Sequence, residues 1–396
     1  MKSVMKITAI FATKPTFRFN QIRCLAQVAP KQREHADNKI QAWQIHSYGG
    51  LDELKLSKAK IPVMSNPNDV LIQVEASSVN PIDVAMIRGY GSTVLNVLRQ
   101  IKSCNSRPTS DIEFPLTLGR DFTGIVVAKG HGVHKLNVGD EVWGVVPVQQ
   151  QGCHADHVMV NSCLVNKRPS NLSHIEAASI LYAGLTAWSA LWYTGGLCYK
   201  TALPTQSNRR VLVLGGSGGV GTLAIQLLKA WNMQVVTTCS TDAVDMLQDL
   251  GADLVIDYKG DDTDAKVITE GPYSIILDCC NQGPDAVKSK GYPHCTYITL
   301  NSPLLRNVDE NGLILGTIKN FGDLIKHNIP TNDKLSLVKW GFFAPSPTGI
   351  ETIQDLVERK QIVPVVQEVF RFEELPQAYQ RVSEGHLRGK VVIDMR

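Results

Sequence analysis

Val211-Leu212-Val213-Leu214-Gly215-Gly216-Ser217-Gly218-Gly219-Val220-Gly221 joins a four-residue apolar run to a glycine cluster, and a helical pattern follows over 221–231. As a bare pattern, Gly216-x-Gly218-x-x-Gly221 is weak. Here it follows a strand and opens a helix, which is the context the chemistry requires. Glycines permit the tight turn and let the backbone approach a pyrophosphate, whose charge meets the positive end of the helix. The stretch therefore predicts a dinucleotide site, with a ligand-free glycine turn as its plain competitor.

Working outward, the pattern alternates. Apolar runs at 235–238, 254–256 and 274–278 read as further strands, and 243–250 as a helix between the first two. Strands alternating with helices argue for a doubly wound parallel sheet, a Rossmann domain placed at 169–344. Upstream, 175–192 is apolar at helical spacing. Before Pro169 the texture is short strands with Gly/Pro punctuation, at 70–76, 124–128, 141–146 and 157–160, which reads as all-β and barrel-like. Two amphipathic helices (350–360 and 374–384) and a strand at 391–394 close the chain. The expected class is α/β: a β-barrel domain at 36–168, completed by 345–396, beside the Rossmann domain.

An NAD site carries an acidic residue at the end of the second strand, about 20 residues on, to hold the ribose hydroxyls. This chain has Thr238-Cys239-Ser240 there, with Asp242 late enough to belong to the next helix start. A 2′-phosphate would not be repelled and Ser240 could donate to it, so NADPH is favoured, although no Arg or Lys stands at the strand end. Ser240-Thr241-Asp242 also reads as plain helix capping.

The chain has 396 residues, 43% hydrophobic and 19% charged, enough for two domains with filled cores. That composition excludes disorder, and no apolar run is long enough to span a bilayer. Of 40 Lys and Arg, seven lie in residues 1–33, which hold no Asp or Glu. The remainder carries 33 basic against 37 acidic residues, so a nucleic-acid partner is not expected. The basic, acid-free start predicts a mitochondrial transit peptide over 1–35 and a matrix location. Nine scattered cysteines without a C-x-x-C pair suit reduced thiols.

The barrel-like first part, the late G-x-G-x-x-G and the returning C-terminus together resemble the medium-chain dehydrogenase/reductase superfamily. Where its zinc members carry a cysteine and a Gly-His-Glu segment, this chain has Asn80-Pro81-Ile82-Asp83 and Gly119-Arg120-Asp121. No thiolate or imidazole is supplied, so the likeness is to the zinc-free quinone oxidoreductase branch, with a GroES-like barrel and no metal. It runs from about Ala42 to the C-terminus, carried by 78–84, 114–121, 185–189, 251–258 and 385–390.

The resemblance implies NADPH contacts at Ser217, Gly219, Val220, Ser240, Tyr258, Leu300, Gly341, Phe343, His386, Leu387 and Arg388, joining Gly218 and Gly221 of the motif. A further contact falls at Cys279, where Asp278-Cys279-Cys280-Asn281-Gln282-Gly283 departs from the family's Asp-Asn-Val-Gly-Gly. Asn80, Asp83 and Thr186 resemble the polar lining of the nicotinamide cleft. Tyr90 matches the tyrosine that donates a proton in the family's enoyl-thioester reductases; a phenol of pKa about 10 stays protonated near neutrality. Asn80-Pro81 reads equally as a turn, and Tyr90 as a surface aromatic.

The implied activity is NADPH-dependent reduction of a quinone or α,β-unsaturated carbonyl compound, in a context of ubiquinone metabolism. An enoyl-thioester reductase and a cofactor-binding scaffold with little turnover remain open. A reticulon-type protein partner and a homodimer follow from the same resemblance. Cys153-His154-x-x-His157 lacks a fourth ligand on one face and is not expected to bind metal. Cys279-Cys280 reads as core or as a redox pair. The run 94–101 reads as a packed loop-helix, a lid over the cleft or a peripheral membrane contact.

Overall fold

The computed structural model describes residues 39–103, 113–197, 210–329 and 336–396. The expected transit peptide at 1–35 lies outside them. Two sheets dominate. The first holds six parallel strands in the order Leu254–Asp257, Gln234–Cys239, Arg210–Leu214, Tyr273–Asp278, His294–Thr299, Leu337–Trp340. Val211, Leu212, Val213 and Leu214 are wholly buried, because helices cover both faces of a parallel sheet and no side needs polar residues. The strand order reverses beside Arg210–Leu214, so the crevice for a ligand opens at the carboxyl ends there. Leu214 pairs in register with Thr238 on one side and Asp278 on the other.

The second sheet has seven strands. Asp69–Val79 is its long central member, paired antiparallel with Asp121–Lys129, His157–Asn161 and the C-terminal Lys390–Asp394. Lys390–Asp394 also pairs in parallel with Val366–Arg371, while Glu141–Val145 and Val165–Lys167 extend the other edge. The last strand of the chain thus completes a sheet built mainly from its first half. A third, three-stranded sheet joins Lys55–Lys60, Lys39–Ile45 and Leu116–Thr117.

Helix Leu181–Ser189 is buried along its whole length. It lies close to helix Pro347–Glu358 because Gly184 and Gly349 face Ile353 and Leu185; a Cβ at Gly349 would stand 2.6 Å from Leu185 Cδ2. The apolar pattern at 175–192 is two helices, His174–Ala178 and Leu181–Ser189, followed by a wide turn over Ala190–Thr194. Asn80-Pro81 is more than a turn: it opens helix Pro81–Ile87. The run 94–101 lies in helix Ser92–Ser103, which packs on the long helix Leu304–Asn328. That long helix breaks at Gly312, whose φ of 75° belongs to the left-handed region.

Candidate active site

At Gly216 and Gly221 the loop leaves no room for a side chain. A Cβ at Gly216 would lie 2.0 Å from Thr237 Oγ1, and one at Gly221 would lie 2.4 Å from the Gly215 carbonyl. Gly215 itself takes a φ of 77° to make the turn. Helix Gly219–Ala230 then begins without a side-chain cap, so its first N–H groups face the crevice. This cradle fits a nicotinamide dinucleotide: a close-approach backbone and an uncapped positive helix end. Cys279 lies against it, donating its N–H to the Leu214 carbonyl, and Cys280 crowds Gly215.

The C-terminal segment docks on this loop. Gly389 donates to the Ser217 carbonyl and bridges to Gly218. Arg388 reaches back to the end of strand Gln234–Cys239, donating to Ser240 Oγ at 2.6 Å and to Ser217 Oγ at 3.4 Å. It also pairs with both Asp242 oxygens, at 3.0 and 2.8 Å. The sequence expectation of no cation at the strand end is corrected: one arrives from 148 residues away. Asp242 is likewise part of this cluster rather than only a helix start. The Ser240 hydroxyl and Arg388 hold its carboxyl down at about 2. Tyr258 follows strand Leu254–Asp257 next door, its N–H on the Cys239 carbonyl and its ring exposed.

Beneath the loop lies a second cluster. Lys390 runs against Gly219 and ends in the interior, where its ammonium donates to Asn80 Oδ1 and to the Val79 carbonyl. Asn80 Nδ2 donates in turn to Asp121 Oδ1, which also takes the Ser78 hydroxyl. The Asn80 amide is thereby fixed between an ammonium and a carboxylate. Asp83 accepts the Asn80 N–H and the Gly119 N–H, and stands 3.5 Å from Arg120 Nε. Two cations and two carboxylates, all buried, give the cluster no net charge. Burial pushes the Asp121 carboxyl up and the Lys390 ammonium down, each opposed by the other's charge.

The superfamily that the sequence resembles holds zinc at the positions of Asn80 and Arg120 in some members, and these donors do not fit one. The Asn80 carboxamide is committed on both ends, and a guanidinium and an ammonium supply positive charge where a metal would need ligands. Cys153 and His154 are spent elsewhere. Cys153 Sγ lies 3.2 Å from the Asp121 carbonyl, and burial pushes its thiol up. His154 Nε2 faces the Ser78 carbonyl, which can only accept, so Nε2 carries the proton and Nδ1 accepts from the Tyr379 hydroxyl.

Burial holds His154 down at about 4, below its unfolded value of 6.5. Between those values the unfolded chain binds the extra proton, so stability falls as pH drops through that window. The expected loss is about 3 kcal/mol by pH 4, flattened in His154→Gln, as read from unfolding free energies across pH.

Above the cluster, Tyr182 and Phe343 stack at 4.2 Å between ring centroids. Thr186 lies one turn along from Tyr182, its hydroxyl donating to the Tyr182 carbonyl. Ser189 holds the Phe342 carbonyl, and Gly341 sits tight against Ala190 and Leu300, so 341–343 lie along this helix. Tyr90 lies in the turn after helix Pro81–Ile87, its N–H on the Ala85 carbonyl, and is half-buried. Burial raises its phenol, the nearby Arg306 opposes, and Asp309 adds to the rise. Asp309 also takes the Gly91 and Thr93 N–H groups, which pins the Tyr90 loop to helix Leu304–Asn328. His386 takes a φ of 52°, and Leu387 packs on the core beside it. Lys390, Arg120, Asp121, His154 and Tyr182 were not among the expected site residues.

The chain matches the family described as Alcohol dehydrogenase GroES-like domain over residues 66–211 and that described as Zinc-binding dehydrogenase over 250–393. It is 47% identical over 377 residues to the NAD(P)H oxidoreductase RTN4IP1, mitochondrial, of Drosophila melanogaster, covering 93% of this chain and 90% of that one. It is 37% identical over 362 residues to the Reticulon-4-interacting protein 1, mitochondrial, of Caenorhabditis elegans, covering 89% and 94%. The solved quinone oxidoreductase from Coxiella burnetii superposes with a TM-score of 0.70 at 26% identity, covering 90% of this chain and all of that one. With its two sheets, its glycine cradle and these relatives, the chain belongs to the family of mitochondrial reticulon-4-interacting NAD(P)H oxidoreductases, within the medium-chain dehydrogenase/reductase superfamily.

Proposed function

We propose that this chain is a mitochondrial matrix enzyme that uses NADPH to reduce a quinone or α,β-unsaturated carbonyl compound without metal, with ubiquinone metabolism as its setting. The observation that carries the reading is the charge-closed cluster of Asn80, Asp83, Arg120, Asp121 and Lys390 under the glycine loop. It leaves activation of the acceptor to the acceptor itself, and quinones are already electrophilic. A reduced nicotinamide supplies a hydride when bound. The chain supplies the rest: Tyr182, Phe343 and Thr186 form a dry wall, Asn80 is fixed in orientation, and Tyr90 holds the proton that completes a hydroquinone. Residues 36–168 with 345–396 carry the acceptor side, and 169–344 the nucleotide side.

NADPH is favoured by Arg388, Ser240 and Ser217, three donors converging where a 2′-phosphate would lie. Asp242 occupies the guanidinium until the phosphate takes its place. Arg388→Ala is therefore expected to raise KM for NADPH roughly tenfold to hundredfold and leave that for NADH unchanged. Asp242→Asn should shift preference further toward NADPH. The central test follows NADPH absorbance with a short-chain ubiquinone analogue, an enoyl thioester or no acceptor. Turnover with the quinone and NADPH supports the reading. Consumption with the thioester alone, or cofactor binding without turnover, replaces it with a reductase of thioesters or with a scaffold.

A further inference from the structure

We infer that the second half of helix Leu304–Asn328 is a lipid-binding face that seats the protein on an anionic bilayer surface. Ile314, Ile318, Phe321 and Ile325 recur at helical spacing. At about 100° per residue they fall within an arc of about 60°, a ridge roughly 16 Å long. They point outward: Ile314 is 77% exposed, Ile318 62%, Phe321 67% and Ile325 49%. Leu315 and Ile329 extend the ridge, at 65% and 59% exposure. The opposite face is polar and inward. Gly316 and Asn320 are buried there, and Asn307 binds both Asn320 and Asp323. The usual amphipathic arrangement is thus inverted, with polar contacts on the protein side and an apolar ridge in solvent.

Charge selects the occupant. Lys319 and Lys326 lie about 130° and 110° round from the ridge centre, on the same flank and just beyond Leu315. Both are exposed; Lys319 stands 3.8 Å from Glu310, and Lys326 makes no ion pair among the described residues. The one acidic side chain of this half, Asp323, is turned inward onto Asn307. An apolar ridge with lysines along its edge suits a headgroup boundary, where the ridge enters the acyl region and the ammonium groups meet phosphate.

A second copy of the chain is less well served. Asn328 donates to the Val338 carbonyl and accepts the Val338 N–H, which blocks the outer edge of the six-stranded sheet at that residue. The ridge offers about six side chains, against the 20–30 residues a side of a stable interface.

The position suits the chemistry proposed above, although the inference stands on the surface alone. The first half of the same helix pins the Tyr90 loop through Asp309, so a bilayer under the second half would lie on the element that borders the cleft. A long-tailed quinone could then be drawn from the membrane.

The test is flotation of the full chain with vesicles of phosphatidylcholine alone and of phosphatidylcholine mixed with phosphatidylserine. The wild type should float with both, more strongly with the anionic mixture. A triple variant, Ile314→Ser with Ile318→Ser and Phe321→Ser, should lose about a hundredfold in partition on neutral vesicles. The basic N-terminal segment is common to both proteins and cancels in that comparison. Light scattering should give both proteins the same mass. Hydrogen exchange on the wild type should show vesicle-dependent protection over 313–329, which decides the matter even if the triple variant folds poorly. Equal flotation of the two proteins, no flotation of the wild type, or a triple variant that falls from dimer to monomer with flotation unchanged would each overturn the inference. The last of these would assign the ridge to a second copy. Flotation requires no turnover, so it is independent of the quinone assay.

Discussion

Lys390→Met should destabilise the protein by about 3–5 kcal/mol, a large part of the roughly 5–15 kcal/mol that holds such a domain together. The ammonium is buried and sits between the Val79 carbonyl and the Asn80 carboxamide. Removing it takes the charged donor from two buried acceptors and turns a neutral cluster into one of net charge −1. The Asp121 carboxyl, already raised by burial, loses the cation that most opposes that rise. Methionine fills much the same volume against Gly219, so a cavity is not the cause of the loss.

A second substitution separates charge from packing. Adding Asp121→Asn removes the surplus carboxylate, and the double variant should recover most of the stability, because a buried pair removed together costs far less than one partner removed alone. Denaturant midpoints at neutral pH read both. A single variant within 1 kcal/mol of wild type, or a double variant no better than the single, would show that the cluster is not electrostatically coupled.

The nucleotide side of the fold is legible because its signals are local. Val211 to Leu214 is an apolar run that can only be buried on both faces, and Gly216 and Gly221 occupy positions where a Cβ has no room. The alternation of strand and helix then follows within a few dozen residues. What spacing and composition do not give is non-local, although the resemblance puts Ser240 and Arg388 at one nucleotide. Arg388 meets Ser240 across 148 residues, and Lys390 meets Asn80 across 310. In the sequence Lys390 only opens an apolar strand, and nothing in its neighbours says which carboxylates it will face. A charged residue at the head of a run as apolar as Val391-Val392-Ile393 was the available signal for a buried cation.

Helix Leu304–Asn328 escaped for a different reason. Gly312 divides it, and its most regular apolar spacing faces solvent, so a pattern that normally reports a core-facing side reports the opposite one. That Asn80 and Asp83 are polar is plain in the sequence. Their partners, and so their fixed orientation, depend on a C-terminal strand that pairs with Asp69–Val79 only in the folded chain.

Tyr90→Phe should lower kcat for quinone reduction by 10²- to 10⁴-fold, the usual reach of a lost general acid, with KM for NADPH unchanged. The reasoning begins with where the hydroxyl stands. Tyr90 is half-buried beside Arg306 and Asp309, and its loop is held by Asp309 through the Gly91 and Thr93 N–H groups. Phenylalanine keeps the ring and leaves those backbone bonds intact, so the loop should not move. Burial sets the phenol above its ordinary value near 10, with Asp309 adding to the rise. A proton donor must be protonated in the resting enzyme. Because the folded value is raised, the wild-type rate should not fall through Tyr90 ionisation until pH exceeds about 10. Reducing a quinone to a hydroquinone takes one hydride and one proton, and the loss in the variant should therefore appear in kcat rather than in nicotinamide binding. If the variant keeps wild-type kcat while its thermal midpoint drops, Tyr90 serves only as packing, and the proton must reach the acceptor from water.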